Sequence, residues 1–298
     1  MSLALEPGTI IVGVDGSADA DRALRWAAVQ ASLERRPLAL VASASLDQLG
    51  DVAWAGVGGY VVPATDLVER AQGVAEKAAA AVRRLRTGLA VTAHAAQGDP
   101  RVVLVGLSRN AHLLVVGSRG RGVLRSRLLG SVSTAVSRHA HCPVVVCRPE
   151  SPGKVRRGVL VGADGTAEGQ AVLEFAFQHA SMHRLPLTVL HSFSDVVAAL
   201  HGAHVVNALQ EDLEEERLLL AEALAGFSEK YPEVHVEGLL ARGLAYECLA
   251  ADSERWHLVV VGRHPTESLG RMVSATVATA VVERAHTTVA VVPVPAPH

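Results

Sequence analysis

The segment GSRGRGVLRSRLLGS, residues 117–131, carries glycines and serines at spacings that suit the binding of a phosphate group. Gly117 and Gly120 are followed, after nine further residues, by Gly130 and Ser131. Glycine lets the backbone approach an anion closely, and the free N–H groups at a helix N-terminus attract negative charge. A helix beginning at Ser131 would add its N–H groups and a hydroxyl to such a site. A glycine-rich loop before a serine-capped helix is also a common structural device, so the pattern alone leaves both interpretations open.

A carboxylate stands at the end of another predicted strand. Asp15 follows the β-branched run 10–14, and Gly117 follows the apolar run 113–116. In an open parallel sheet the ligand crevice lies outside the carboxyl ends of the strands, where the strand order reverses. Asp15 and Gly117 are therefore both predicted to lie on the rim of one crevice. An acidic residue in such a turn also commonly accepts hydrogen bonds from backbone amides, so a purely structural role for Asp15 stays open.

Four arginines give the glycine-rich segment a positive charge. They are Arg119, Arg121, Arg125 and Arg127. Guanidinium groups bind phosphate oxygens through paired hydrogen bonds, so these side chains can neutralise a triphosphate or close over it. A solvated basic loop would have the same composition, and both interpretations remain.

The elements that would position these residues alternate between strands and helices. We predict strands at 10–14, 38–42, 91–95, 113–116 and 144–146, a helix capped by Asp19, further helices at 66–85, from Pro100 and from Ser131, and a long loop at 50–63. Such alternation favours an α/β fold, a five-stranded parallel sheet covered by helices on both sides. The second half follows suit, with one long charged helix predicted at 211–230.

The two halves of the chain repeat one another. Around Asp15 the chain reads TIIVGVDGSADADRALRW, and 149 residues later, around Asp164, it reads GVLVGADGTAEGQAVLEFA. Later segments repeat at 145 residues, as in HLLVVGSRG from His112 and HLVVVGRHP from His257. This self-similarity predicts a duplicated architecture, with domains at 1–150 and 151–298. The linker between them has the proline, glycine and charges typical of a domain boundary.

Composition disfavours several classes of protein. The 298 residues carry a net charge of −2 and 3% aromatic residues, so nucleic acid is not an expected partner. No apolar run reaches the 18 residues that suggest a membrane span, and the start MSLALEPGTI does not read as a secretion signal. We therefore expect a cytoplasmic protein that does not enter membranes. The three cysteines form no CxxC pair, and packing or solvation explains His179 and His183 better than a metal does, so no metal site is predicted.

The loop at 117–131 resembles the G-x2-G-x9-G-[S/T] signature of ATP-binding universal stress proteins, and the similarity covers both halves of the chain. The resemblance implies an adenine-nucleotide α-hydrolase-like, Rossmann-like fold in each half, with strand order 3-2-1-4-5, as in tandem-domain members from actinobacteria. It also implies that ATP binds, with or without magnesium, and that Asp15 and the backbone near Val41 contact the adenosine. The residues implied for nucleotide binding are Asp15, Val41, Gly117, Gly120, Arg121, Gly130, Ser131 and Val132 in the first domain, and Asp164, Gly262 and Thr276 in the second.

The second domain departs from this signature. Pro265 stands at the position of Gly120, and Ala275 stands at the position of Gly130. Proline has no N–H donor and fixes φ, and alanine disfavours the positive φ that glycine permits. We therefore expect weak or reshaped nucleotide binding in the second domain, where Asp164 is retained.

Three functions fit these features. We expect a regulatory nucleotide-binding protein with at most slow hydrolysis, since the motif GxxxxGK[ST] is absent and no carboxylate and base are arranged to position a nucleophile. An adenine-nucleotide-using enzyme of the same fold is disfavoured, because the first turn reads VDGSAD instead of SGGxDS and no HIGH-type signature is present. A scaffold that binds no nucleotide and acts by dimerisation is the remaining alternative.

The last strand of each half predicts association. The segments PVVVC from Pro143 and VAVV from Val289 are short apolar edge strands that an isolated domain would leave unpaired. The resemblance implies that this strand is used for pairing. The two halves can then form a pseudo-dimer within one chain, and we expect two chains to form a homodimer.

Overall fold

Short apolar runs form the strands of this protein in a computed structural model of the chain. The structure describes residues 3, 5–45, 63–120, 129–149, 153, 155–166, 168–193, 204–205, 213–264 and 269–294. The chain divides into two compact units, Met1–Cys147 and Arg148–His298. In both units strands and helices alternate along the chain, which confirms the predicted α/β class.

The first unit is built on a parallel sheet. Its described elements are β1 (Ile10–Gly13), α1 (Ala18–Glu34), β2 (Leu38–Ala44), α2 (Ala64–Leu85), β3 (Val91–Gln97), α3 (Pro100–Leu107), β4 (Leu113–Gly117), α4 (Ser131–His139) and β5 (Val144–Cys147). The strand order is β3-β2-β1-β4-β5, as the resemblance implied. The chain moves outward from β1 through β2 to β3 and then returns to the other side of β1. The strand order therefore reverses between β1 and β4, where a ligand crevice is expected.

Helix α1 begins two residues earlier than the sequence suggested. Ser17 is its N-cap, and the Ser17 hydroxyl accepts a hydrogen bond from the backbone N–H of Ala20 at 3.2 Å. The prediction that Asp19 caps this helix is wrong, because Asp19 already lies inside the first turn. Its carboxylate is consequently available for contacts with the loop after β4.

The second unit repeats this architecture with one addition. Its described elements are β6 (Val159–Ala163), α5 (Gln170–His183), β7 (Leu187–Phe193), β8 (His204–Val205), α6 (Glu214–Leu224), α7 (Phe227–Lys230), β9 (Val236–Arg242), α8 (Ala245–Ala250), β10 (Leu258–Arg263), α9 (Leu269–Arg284) and β11 (Val289–Pro293). Five strands are parallel, in the order β11-β10-β6-β7-β9. The two-residue strand β8 pairs antiparallel with β9, so the predicted count of five strands is one too few in this unit. A strand of two residues is too short to produce a period in the sequence.

The long charged helix predicted at 211–230 is interrupted. Helix α6 ends at Leu224, and α7 begins at Phe227. Between them Gly226 has φ +82°, a left-handed conformation that ends a helix and that glycine adopts without steric cost. The Phe227 ring stacks on the Phe177 ring of α5 with centroids 4.6 Å apart, which anchors the second short helix to the core. The predicted loop at 50–63 lies outside the described residues except for Pro63.

The core of each unit consists mainly of the strands themselves. Every residue of β2 and β5 is buried, as expected for strands covered on both faces. Cys142 and Cys147 are buried, reduced cysteines, and burial raises the pKa of Cys147, which makes it a poor nucleophile. Within the described ranges, no helix combines the length and apolar character needed to cross a membrane.

The histidine pair noted in the sequence packs within α5. The rings of His179 and His183 stack with centroids 4.1 Å apart, and His179 is only 4% exposed. Burial lowers the pKa of His179 to about 3, and repulsion from His183 and His257 acts in the same direction. His179 is therefore a neutral core residue at physiological pH.

Candidate functional site

Asp15 lies directly after the carboxyl end of β1. Its Oδ1 accepts a hydrogen bond from the backbone N–H of Ser17 at 2.9 Å, so Asp15 does stabilise the turn into α1. Gly16 completes this turn with φ +79°, a conformation that favours glycine. The structural role left open by the sequence is thus present, and it fixes the carboxylate at the point where the strand order reverses.

Gly117 ends β4 beside β1 and is packed against the first turn of α1. A Cβ atom at this position would lie 2.6 Å from the carbonyl carbon of Asp19, 2.7 Å from its oxygen and 2.8 Å from its Cβ. The glycine is required because no side chain fits, and its φ is not in the left-handed region. The backbone at the end of β4 is therefore in direct contact with the backbone at the start of α1.

Gly120 brings the glycine-rich loop onto Asp15. A Cβ atom at Gly120 would lie 2.8 Å from Oδ2 of Asp15. The predicted loop and the predicted carboxylate, which are 105 residues apart in the sequence, are therefore neighbours in the fold. A larger residue at this position would press on the carboxylate.

The second end of the loop leads into α4. Gly130 is the N-cap with φ −69° and ψ 154°, and its N–H donates to the Ser118 carbonyl at 2.8 Å. Gly130 makes no side-chain cap to the helix, and Ser131 is exposed at the first helical position, followed by the half-buried Val132. The first N–H groups of a helix have no partner within the helix. This N-terminus consequently offers donors and a hydroxyl on the same side as the loop.

The φ of Gly130 corrects one expectation. The sequence suggested that Ala275, the counterpart of Gly130, disfavours a positive φ at this position. Gly130 has a negative φ that alanine adopts readily, so backbone conformation does not exclude alanine. Space is the tighter limit, because a Cβ at Gly130 would lie 3.3 Å from the Ser118 carbonyl oxygen.

A polar brace that the sequence did not reveal joins α1 to the loop. The Ser118 hydroxyl donates to Oδ2 of Asp19 at 2.7 Å, and the Ser118 carbonyl accepts from the Ser133 hydroxyl at 3.0 Å. Arg22 pairs with the other oxygen of Asp19, and the Arg119 Nε lies 3.6 Å from Oδ2. Ser118 is thus held from both sides. The only signal for this brace in the sequence was Asp19, four positions after Asp15, and Asp19 was predicted to be a helix cap.

The remaining predicted residues of the first unit are placed as follows. Val41 lies within β2, buried and paired with Gly13, and its carbonyl accepts a hydrogen bond from the Val14 N–H at 2.9 Å. Strand β2 continues three residues beyond Val41, to Ala44. Arg121, together with Arg125 and Arg127, lies outside the described residues.

In the second unit the counterpart of Asp15 has different partners. Oδ1 of Asp164 accepts from the Thr166 N–H at 3.0 Å and from the Thr166 hydroxyl at 2.8 Å. Oδ2 lies 2.8 Å from Nε2 of His264, which follows β10 directly. Burial raises the pKa of Asp164, but the hydrogen bonds from His264 and Thr166 outweigh it and hold this pKa below its usual value. The carboxylate is therefore ionised and accepts three hydrogen bonds from side chains and backbone of its own unit.

Gly262 and Thr276 complete the predicted residues of the second unit. A Cβ atom at Gly262 would lie 3.0 Å from Cγ2 of Val172 and 3.2 Å from Cγ2 of Val294, so apolar side chains surround it instead of helix backbone. Thr276 lies within α9, but its side chain is outside the described residues, as is Pro265. In the part of the chain that the structure describes, no group of three or more His, Cys, Asp or Glu side chains is arranged to hold a metal ion.

Comparison with known proteins gives a consistent result across the chain. The model of the universal stress protein family matches residues 7–148 and again 156–293. A universal stress protein of Mycobacterium tuberculosis strain H37Rv is 36% identical over 296 residues, covering 95% of each chain. One from Mycolicibacterium smegmatis is 34% identical over 290 residues, covering 95% of this chain and 96% of the relative.

Solved structures resemble the fold as a whole. The crystal structure of a universal stress protein from Archaeoglobus fulgidus matches with a TM-score of 0.66 at 18% identity and covers 97% of each chain. A putative universal stress protein from Pseudomonas aeruginosa matches with a TM-score of 0.58 at 16% identity, covering 97% of this chain and 94% of the other. At such low identity these two matches concern the fold alone.

Proposed function

Because the chain belongs to the universal stress protein family, we propose that its first unit binds an adenine nucleotide, with ATP as the expected ligand. The proposal assigns the phosphates to the loop between Gly117 and Gly130 and to the N-terminus of α4. It assigns the adenosine to the turn at Asp15 and the adjoining end of β2 near Val41.

One observation carries the proposal. Asp15 and the glycine-rich loop meet at the point where the strand order reverses, with Gly120 so close that its Cβ would lie 2.8 Å from the carboxylate. Open parallel sheets place their ligands at this point. The site therefore combines an acceptor for sugar hydroxyls with donors for phosphate oxygens.

The donors and acceptors match the two parts of a nucleotide. Asp15 is a carboxylate, and a carboxylate accepts hydrogen bonds from ribose hydroxyls. The uncapped N–H groups of α4 and the exposed Ser131 hydroxyl suit phosphate oxygens, and the helix dipole adds attraction. Magnesium would be held chiefly by the phosphates, since this ion is commonly bound together with substrate phosphates.

Binding with a regulatory consequence fits better than rapid turnover. The sequence has no GxxxxGK[ST] motif, whose lysine contacts the β- and γ-phosphates in P-loop proteins. We propose that occupancy shifts the protein between conformations or partners, with hydrolysis slow at most. A cytoplasmic location and a homodimer stay predictions of the sequence, and sedimentation with and without ATP tests the second.

Isothermal calorimetry of the full chain with magnesium and ATP, after removal of any copurified nucleotide, tests the proposal. Ser131→Ala is expected to weaken ATP binding by roughly tenfold, since a hydrogen bond to a charged group contributes about 1.5 kcal/mol or more. The variant should leave adenosine binding unchanged, because adenosine has no phosphate.

Ser32→Ala is the matched control. The Ser32 hydroxyl donates to the Ala28 carbonyl near the other end of α1, so this variant should bind ATP like the unaltered chain. Absence of ATP binding by the folded, nucleotide-free chain would refute the proposal and favour the scaffold. Equal effects of Ser131→Ala and Ser32→Ala would refute the placement of the phosphates.

A further inference from the structure

The two units treat their equivalent carboxylates differently. His264 of the second unit lies 2.8 Å from Oδ2 of Asp164, and its side chain is only 14% exposed. The residue at the corresponding repeat position of the first unit is Arg119, whose Nε lies 3.6 Å from Oδ2 of Asp19. The side chain that follows the fourth strand of the repeat thus contacts helix α1 in one unit and the crevice carboxylate in the other.

Neighbouring substitutions explain why the contact changes. The brace in the first unit needs Ser118 and Asp19, and the second unit has Arg263 and Glu168 at these positions. Arginine has no hydroxyl, so the short hydrogen bond by which Ser118 ties the end of β4 to α1 has no counterpart of the same kind in the second unit. His264 instead reaches the carboxylate of Asp164, which is also held by Thr166.

Further side chains fill the same end of the second sheet. The His191 Nδ1 lies 3.0 Å from the carbonyl oxygen of Ala163, the residue before Asp164, whereas the first unit has the small Ala42 at the position of His191. A Cβ at Gly165 would lie 3.8 Å from two carbon atoms of Leu219, which comes from α6. The turn that carries Asp164 is therefore flanked by larger groups of the chain itself.

We propose that His264 is an internal competitor for Asp164 and is the residue that makes the second crevice a weaker nucleotide site than the first. The inference rests on the proposed function and adds that His264 causes the difference in nucleotide affinity between the two units. The His264 N–H occupies Oδ2 and both donors of Thr166 occupy Oδ1, so a ribose hydroxyl that approaches Asp164 meets a carboxylate that already accepts three hydrogen bonds. A nucleotide in the second unit consequently competes with the His264 side chain for Oδ2 of Asp164.

The expected effect follows from the strength of such a contact. The Asp164 side chain is 41% exposed, and polar contacts with that degree of exposure contribute only modestly to stability. His264→Ala should strengthen ATP binding at the second crevice by roughly threefold to tenfold and leave the first unit unchanged. His264→Ser should have the same effect. Agreement between the two variants would show that the effect comes from the loss of the contact with Asp164 and not from the residue that replaces histidine.

Calorimetric titration of the full chain with magnesium and ATP resolves the two units, because the unaltered chain is expected to show one stronger site. His286→Ala is the matched control, since His286 is an exposed histidine of the same unit in the turn that precedes β11, at the other end of the sheet. His264→Ala combined with Asp164→Asn assigns the effect to the second crevice. The gain seen with His264→Ala alone should disappear in this double variant.

The outcomes separate this inference from the proposed function. Tighter second binding in both His264 variants, but not in His286→Ala, supports the inference. If the first unit binds ATP and the His264 variants titrate like His286→Ala, the inference is overturned while the proposed function stands. If no variant binds ATP at either unit, the proposed function fails and takes the inference with it.

Discussion

Gly117→Ala tests the packing that positions the loop. The added Cβ would lie 2.6 Å from the carbonyl carbon of Asp19, and the nearest atoms belong to the backbone or to the Cβ of that residue, which cannot rotate away. Reaching an ordinary contact of 3.4 Å requires the end of β4 and the start of α1 to separate by about 0.8 Å. Tight packing resists such a movement.

The cost is expected to be large for a single methyl group. Overpacking of a well-packed region costs roughly 1–3 kcal/mol, and here the displaced atoms are backbone, so we expect a value at the upper end. The separation also stretches the Ser118–Asp19 hydrogen bond, which is 2.7 Å long. ATP binding at the first unit should therefore weaken by roughly tenfold or more, a loss of about 1.4 kcal/mol.

Urea unfolding of the full chain and hydrogen exchange measured on peptides from α1 check this prediction. Gly73→Ala is the matched control, because Gly73 lies inside α2 and an added Cβ meets nothing within 4 Å. That control should stabilise the chain by about 0.5–1 kcal/mol, the helix preference of alanine over glycine. Equal stability and equal exchange in the two variants would show that the contact at Gly117 is not tight.

Two further predictions concern other parts of the chain. Ser118→Ala should weaken ATP binding roughly fivefold and leave adenosine binding unchanged, because the bond to Asp19 holds the loop and not the adenosine side. Calorimetry with both ligands checks this, and an equal loss for both would contradict it. Since the pKa of His179 is about 3 in the folded chain and about 6.5 in the unfolded chain, the unfolded state binds a proton first as the pH falls, and about 2 kcal/mol of stability should be lost between pH 7.5 and pH 5. Urea unfolding at both pH values should show a smaller loss of stability in His179→Leu than in the unaltered chain. An unchanged loss would refute the conclusion that His179 causes it.

The sequence predicted those parts of the fold that depend on local pattern. Runs such as 38–42 and 113–116 are wholly apolar because strands covered on both faces bury every side chain, so the sequence was sufficient to predict their positions. The start of α4 at Ser131 also agrees with the structure. The strand order of the first unit agrees as well, but it was implied by the family resemblance and not by local pattern. Asp15 and the glycine-rich loop were predicted to share a crevice, and the fold brings Gly120 onto Asp15.

Features set by side chains from distant segments were not predictable in the same way. Asp19 and Ser17 are both good capping residues, and only the backbone geometry decides that Ser17 caps the helix. Gly226 interrupts a charged segment whose composition favours one helix, and it does so in a left-handed conformation with φ +82°. The contact between His264 and Asp164 joins residues 100 positions apart, and no spacing rule connects them.

The comparison of Gly117 with Gly262 shows where duplicated units of this kind can diverge. Both glycines end the fourth strand of their repeat, but Gly117 faces the backbone of a helix and Gly262 faces the methyl groups of Val172 and Val294. Backbone contact fixes Gly117 against the start of α1, whereas the side-chain methyl groups around Gly262 can move by a few tenths of an ångström. The two units therefore share the architecture of the sheet, while the residue two positions after the equivalent glycine contacts Asp19 of α1 in the first unit and the crevice carboxylate Asp164 in the second.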